Sequence, residues 1–123
     1  MDQRFIVTAA AWLEIAVGAL FLIVPNVLCL LLFAAKPEAA GLPLARFAGV
    51  ALVALGIACL PSTNTVSRRS ALGLLVFNVG VTILFTWVGI TTPHGFLLWP
   101  VVILHATIAV ALVVHLLSKG WLF

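Results

Sequence analysis

Four long apolar segments follow one another along this chain, and each ends at a short break that is polar or contains proline. The segments run over 5–24, 42–60, 71–90 and 96–117. An α-helix of about 20 apolar residues crosses the hydrocarbon core of a bilayer, and each segment is close to that length. The pattern therefore predicts four transmembrane helices.

The breaks between the segments carry residues that end and begin helices. Pro25 follows the first segment, while Pro43 and Pro100 fall in the first turns of the second and fourth, where a helix tolerates proline. Residues 27–35 are apolar but too few to cross a bilayer, so we expect a short helix at the membrane surface. The predicted fold class is all-α: a four-transmembrane-helix bundle with a short interfacial helix between spans one and two, in one membrane domain over 1–123.

The composition agrees with a chain surrounded by lipid. Of its 123 residues, 65% are hydrophobic and 7% are charged, and the mean hydropathy is +1.36. A water-soluble domain of this composition would expose large apolar patches. Four spans also use most of the length and leave no room for a soluble catalytic module. The net charge of +3 comes from basic residues scattered between the spans, so we expect no nucleic-acid partner.

The basic residues predict how the chain is oriented. Lys and Arg are retained on the cytoplasmic side of a membrane, and four of the six basic residues fall on the side of the two termini. Those four are Arg4, Arg68, Arg69 and Lys119. The other side holds Lys36 and, at the membrane edge, Arg46. We therefore expect a multi-pass protein of the bacterial inner (plasma) membrane with both termini in the cytoplasm.

One strongly polar residue from each predicted span is a candidate for the bundle interior: Glu14, Arg46, Asn78 and His105. An ionisable group inside a span costs about 2.5 to 3.5 kcal/mol on insertion scales, so it normally faces the bundle interior and finds a partner. The helical rise places Glu14 and Asn78 at one level, with His105 and Arg46 nearer the opposite face. We predict a buried network in which Glu14 pairs with Arg46 while His105 and Asn78 complete the hydrogen bonds.

This network has two interpretations, which the sequence leaves open. It can be structural and hold the helices in register, because apolar faces alone do not distinguish one packing from another. Alternatively, Glu14 or His105 titrates or binds a ligand, since ionisable groups inside a membrane often mark proton and substrate paths. We identify no catalytic residue.

The other two histidines are interpreted as boundary residues without a ligand role. His94 lies in a predicted loop, and His115 lies near the inner boundary of span four. His105 and His115 are about 15 Å apart along one helix, so one metal ion cannot bind both. A haem would need a facing histidine, which spans one to three lack. We therefore predict no metal site.

Small residues line one face of each of the first two spans. Ala10, Ala11 and Gly18 lie three or four positions from Glu14, and Gly49 and Gly56 share a face of span two. Small residues at such spacing allow two helices to approach closely inside a membrane. We expect tight packing of these spans, and an oligomer or a complex with a partner membrane protein.

Several short motifs together resemble small four-span bacterial inner-membrane proteins that are loosely DoxX-like in shape. The motifs are Trp12-Leu13-Glu14-Ile15 with Gly18, Leu44-Ala45-Arg46 with Gly49, Asn78, and Leu98-Trp99-Pro100 with Leu104-His105-Ala106. The resemblance spans most of the chain and implies a helical bundle, with a link to quinone-dependent respiratory complexes. The carboxylate at position 14 also resembles that of small multidrug resistance transporters, but this similarity covers little else, since the chain has no Tyr.

The leading functional prediction is a non-enzymatic membrane protein, either an accessory subunit or a self-assembling bundle, that binds lipid or quinone. Its expected partners are membrane lipid and either copies of itself or another membrane protein. A proton-coupled small-molecule carrier that uses Glu14 and His105 is the first alternative. A membrane enzyme that acts on a lipid-soluble substrate is the second.

Overall fold

The computed structural model describes residues 3–62 and 65–121, which form five α-helices and contain no strand. The helices are α1 (Gln3–Ile23), α2 (Pro25–Phe33), α3 (Gly41–Cys59), α4 (Arg68–Thr91) and α5 (Leu98–Ser118). Within this described part, α1, α3, α4 and α5 are long and apolar enough to cross a membrane. The predicted all-α fold class is confirmed, including the short helix between spans one and two, and the chain is a small multi-pass membrane protein.

The short helix α2 begins and ends with recognisable signals. Pro25 occupies the first turn, where its missing N–H costs nothing. At the other end, Ala34 has a left-handed conformation with φ 54°, and its N–H donates to the carbonyl of Leu30. One face of α2 is buried, with Leu28 and Leu32 among its buried residues. This helix therefore covers one end of the bundle, which we call the α2 end; the other end, where α1 begins and α5 finishes, is the terminal end.

Helices α1 and α3 cross in tight antiparallel contact. A Cβ atom built on Gly49 would lie 2.7 Å from the carbonyl oxygen of Gly18, and one on Gly56 would lie 2.5 Å from that of Ala11. No side chain fits at such distances from a backbone carbonyl without moving a helix. The predicted close approach of the small-residue faces is therefore confirmed.

The bundle consists of two closely packed helix pairs. Contacts are most extensive between α1 and α3 and between α4 and α5, and they are far fewer along the two seams where the pairs meet, α1 with α5 and α3 with α4. A buried apolar cluster joins the pairs in the terminal half of the bundle. Its members are Val7, Ala10, Ala11, Cys59, Leu74 and Leu112. The terminal half is therefore solidly packed.

The loop between α4 and α5 is attached to the end of α2. The backbone N–H of Gly95 donates to the carbonyl of Leu32 at 3.0 Å, and that of Leu97 donates to Leu31 at 3.1 Å. These bonds satisfy carbonyls at a helix C-terminus, which otherwise lack partners. Position 95 needs glycine here, because a Cβ atom would overlap the Leu31 carbonyl. The loop holds α2 in place over the helix pairs.

Candidate functional site

Three of the four predicted polar residues lie at similar depth. Counted from the terminal ends of their helices, Asn78 is about 15 Å deep, Glu14 about 17 Å and His105 about 20 Å. The sequence had placed Asn78 and His105 at different levels. The difference arises because α4 begins at Arg68, three residues before the predicted start of span three, so Asn78 lies one turn deeper. Its N-cap is Ser67, whose side chain accepts from the N–H of Ser70 at 3.0 Å.

Asn78 and His105 are joined directly. His105 Nδ1 lies 2.7 Å from Asn78 Oδ1, and both residues are buried. The Asn78 amide nitrogen donates to the Leu74 carbonyl at 2.8 Å, which fixes the amide so that its oxygen faces the imidazole. An amide oxygen only accepts hydrogen bonds, so His105 Nδ1 carries the hydrogen. In the neutral ring, Nε2 is therefore left as an acceptor.

Glu14 is buried at a similar depth and retains an unpaired oxygen. The residue is only 1% exposed, and within the described part of the chain its Oε1 atom has no hydrogen-bond partner. A buried polar atom without a partner costs free energy, and a buried unpaired charge costs much more. A proton on the Glu14 carboxyl, or a ligand that donates a hydrogen bond to it, would therefore stabilise the buried side chain.

Arg46 does not join the network, and the predicted ion pair with Glu14 is wrong. The side chain of Arg46 is exposed on α3. Gly49, which packs against α1, is three positions further along the helix, so the two residues point about 60° apart. Arg46 is also only about 8 Å from the start of α3, and its long side chain can extend to the membrane surface.

Glu14 and His105 line a cavity of about 190 Å³ between the two helix pairs. We call it the central cavity. Of its 15 lining residues, the other 13 are aliphatic or Phe, contributed by all five helices and by the loop before α5. Leu28 and Leu32 of α2 close it at the α2 end, and the buried apolar cluster fills the terminal half below it. The cavity is thus apolar, with a carboxyl and an imidazole as its polar groups.

One face of α4 was missed by the sequence reasoning as part of this site. Phe77, Val81 and Phe85 all line the central cavity, and the ring of Phe77 packs edge-on against the His105 imidazole at 5.8 Å. Their spacing of four residues places them on one helix face, and this regularity was a usable signal. It could not be distinguished from an ordinary packing face without knowing where α2 lies.

His115 lies in the last turn of α5, near the predicted inner boundary of span four, but it is buried. This residue is 3% exposed, and neither ring nitrogen has a partner within the described residues. Its ring packs edge-on against Trp121 at 5.6 Å. His94 lies in the loop as expected; its Nε2 accepts from Trp99 Nε1 at 3.0 Å, and its Nδ1 lies 3.2 Å from the Thr92 carbonyl.

Fold and site together define a small four-span helical membrane protein with a carboxyl and an imidazole at an internal apolar cavity. No family model, curated protein or solved structure that was compared with the chain matches it.

Proposed function

We propose that this protein is a non-enzymatic membrane bundle that binds a lipid-soluble molecule with a hydroxyl-bearing ring, such as a quinol, in the central cavity. The observation that carries the proposal is the combination of an apolar cavity with two polar groups, Glu14 and His105, on its wall. An apolar protein cavity of about 150 Å³ binds benzene. A volume of about 190 Å³ therefore suits one substituted six-membered ring.

The hydrogen-bonding groups of the central cavity favour a ligand that donates a hydrogen bond. Because Asn78 holds Nδ1 of His105 in the protonated form, Nε2 offers a lone pair and takes an O–H or N–H group. Glu14 Oε1 has no partner within the described residues and can accept a second hydrogen bond. A phenol or quinol supplies such a donor, whereas an oxidised quinone carries only acceptors.

The outer surface of the bundle supports assembly in a membrane. Large apolar side chains are exposed on all of the long helices, including Trp12, Phe47, Ile83 and Val110. We propose that part of this surface contacts lipid. The rest contacts either copies of the same chain or a larger membrane complex in which the chain is an accessory subunit. We also propose the bacterial inner membrane as its location, with the terminal end in the cytoplasm.

Equilibrium binding of small phenols to the protein in lipid nanodiscs tests the proposal. The probes are 4-methylphenol and p-xylene, in which a methyl group replaces the hydroxyl. We expect 4-methylphenol to bind saturably and about tenfold or more tightly than p-xylene, since a lost buried hydrogen bond costs about 1 to 3 kcal/mol. His105→Phe should reduce that difference, because Glu14 Oε1 is then the remaining acceptor. Equal binding of the two probes to the wild type would overturn the proposed donor interaction.

A pair of matched variants locates the binding. Val101→Phe places a larger side chain at the wall of the central cavity and should abolish binding of 4-methylphenol. Val110→Phe makes the same change on the same helix, at a side chain that is 64% exposed, and should leave binding unchanged. Loss of binding in both variants, or in neither, contradicts a site in the central cavity.

The carrier hypothesis keeps a specific observation in its favour, which is the unpaired oxygen of buried Glu14. Proteoliposomes that contain a pH-sensitive dye would report proton movement when a tetraphenylphosphonium gradient is applied. Coupled flux that is lost in Glu14→Gln and retained in Glu38→Gln, an exposed carboxyl in the loop before α3, would favour the carrier. Phenol binding without flux would favour the binding protein.

A further inference from the structure

We propose that the groove between α3 and α4 holds the hydrocarbon tail of the ligand whose ring occupies the central cavity. This inference rests on the proposed function. It specifies a ligand that has a long hydrocarbon tail attached to its ring. The groove has a volume of about 480 Å³ and opens on the outside of the bundle. We call it the α3–α4 groove.

The α3–α4 groove and the central cavity share a wall that is one side chain thick. Five residues line both spaces. They are Phe21, Leu52, Phe77, Val81 and Phe85. Phe77 shows the thickness of the wall most directly, because its ring contacts the His105 imidazole and also borders the groove. Rotation of such half-buried side chains would connect the groove with the space beside Glu14 and His105.

Small side chains produce the groove. On α3, Ala45, Ala48 and Ala51 line it at intervals of three residues, which places them along one side of the helix. Helices α3 and α4 follow each other in the chain yet make few contacts, and the short alanine side chains leave the space between them open. At the α2 end, Phe33 packs edge-on against Phe85 at 5.5 Å and limits the groove. The α3–α4 groove is thus apolar and lies beside the central cavity.

The thin wall shared with the central cavity favours a ligand tail over a second copy of the chain. A helix with its side chains is about 10 to 12 Å wide and is too wide to pass between the side chains of the shared wall. A hydrocarbon chain is narrow enough to follow the groove from that wall to the lipid. Because lipid is as apolar as the groove, the tail gains little affinity there. The groove instead gives a tailed ligand a route out of the cavity.

The test compares a tailed and a tailless probe within each variant, so that general partitioning into lipid cancels. The probes are 4-decylphenol and 4-methylphenol, measured in nanodiscs. Ala48→Phe narrows the groove and should weaken binding of 4-decylphenol by about tenfold or more, since overpacking is costly, while 4-methylphenol keeps its wild-type affinity. Ala54→Phe is the matched control on the exposed side of α3 and should change neither affinity.

Each other result has a defined meaning. If 4-methylphenol fails to bind the wild type, the proposed function fails and the groove proposal fails with it. If 4-methylphenol binds and Ala48→Phe leaves 4-decylphenol unaffected, only the groove proposal is overturned. If Ala48→Phe loses both probes through misfolding, Leu84→Phe decides, because this side chain borders the groove from α4 and is 56% exposed. Equal effects of Leu84→Phe on both probes would overturn the tail assignment.

Discussion

Asn78 and His105 connect α4 to α5 through a buried hydrogen bond of 2.7 Å. The same bond selects the tautomer of His105, because the other end of the Asn78 amide is occupied by the Leu74 carbonyl. A single asparagine thus contributes both to helix packing and to the chemistry that the central cavity offers.

We expect a favourable coupling energy between Asn78 and His105 in a double-mutant cycle. Hydrogen bonds between membrane helices contribute about 0.6 kcal/mol on average and up to about 1.7 kcal/mol. Asn78→Leu, His105→Phe and the double variant would be compared by the free energy of unfolding in bilayers. A coupling energy of zero would contradict the hydrogen bond between Asn78 and His105.

Asn78→Leu should also reduce the preference for 4-methylphenol over p-xylene, since either ring nitrogen of His105 can then carry the hydrogen.

The second prediction concerns the close contact of α1 and α3. Gly49→Ala should destabilise the bundle by about 1 to 3 kcal/mol, because the added Cβ atom would lie 2.7 Å from the Gly18 carbonyl oxygen. Gly80→Ala is the matched control on α4, where an added Cβ atom meets nothing within 4 Å. The control should be neutral or stabilising, since alanine favours a helix over glycine. Equal free energies of unfolding for the two variants would refute the contact.

The third prediction concerns the attachment of α2. Gly95→Ala should release the loop from α2, because a Cβ atom at this position overlaps the Leu31 carbonyl. Hydrogen exchange measured by mass spectrometry should then become faster in α2 and at Leu97, whose N–H bonds to Leu31. Gly73→Ala, at a helix position with open space around it, should leave exchange in α2 unchanged. Unchanged exchange in Gly95→Ala would show that the loop does not hold α2.

The fourth prediction concerns Glu14 and Arg46. Because Arg46 is exposed and apart from Glu14, the effects of Glu14→Gln and Arg46→Met on the free energy of unfolding should add to within about 0.5 kcal/mol. If one substitution instead rescued the stability lost through the other, the two residues would interact, as in the ion pair predicted from the sequence. Arg46→Met alone should change stability little, since an exposed charge loses no buried partner.

The fifth prediction tests the orientation in the membrane. Thr92 and Ser118 are exposed at opposite ends of the bundle. A membrane-impermeant maleimide should label Thr92→Cys in intact cells and label Ser118→Cys only after permeabilisation, if the terminal end faces the cytoplasm. The reverse pattern would invert the proposed orientation. Burial raises the pKa of the Cys29 thiol, so little reactive thiolate forms there at neutral pH and its background labelling should be slow.

The number and order of the helices could be predicted from the sequence because both depend on local properties. An apolar run of bilayer length must form a helix that satisfies its own backbone groups, and Pro25 or the loop around Gly95 ends such a run wherever the chain packs. The tight contact at Gly18 and Gly49 was also predictable, since small residues repeat on one helix face. The local pattern was sufficient for these features.

The arrangement of the polar side chains depended on how the helices are rotated and where they begin. The start of α4 three residues earlier than predicted brought Asn78 closer to the depth of His105. A rotation of about 60° relative to Gly49 turned Arg46 away from Glu14. The central cavity has no local signature, because it is the space that five helices leave between them. Periodicity shows which residues share a face, whereas contact between helices determines what each face meets.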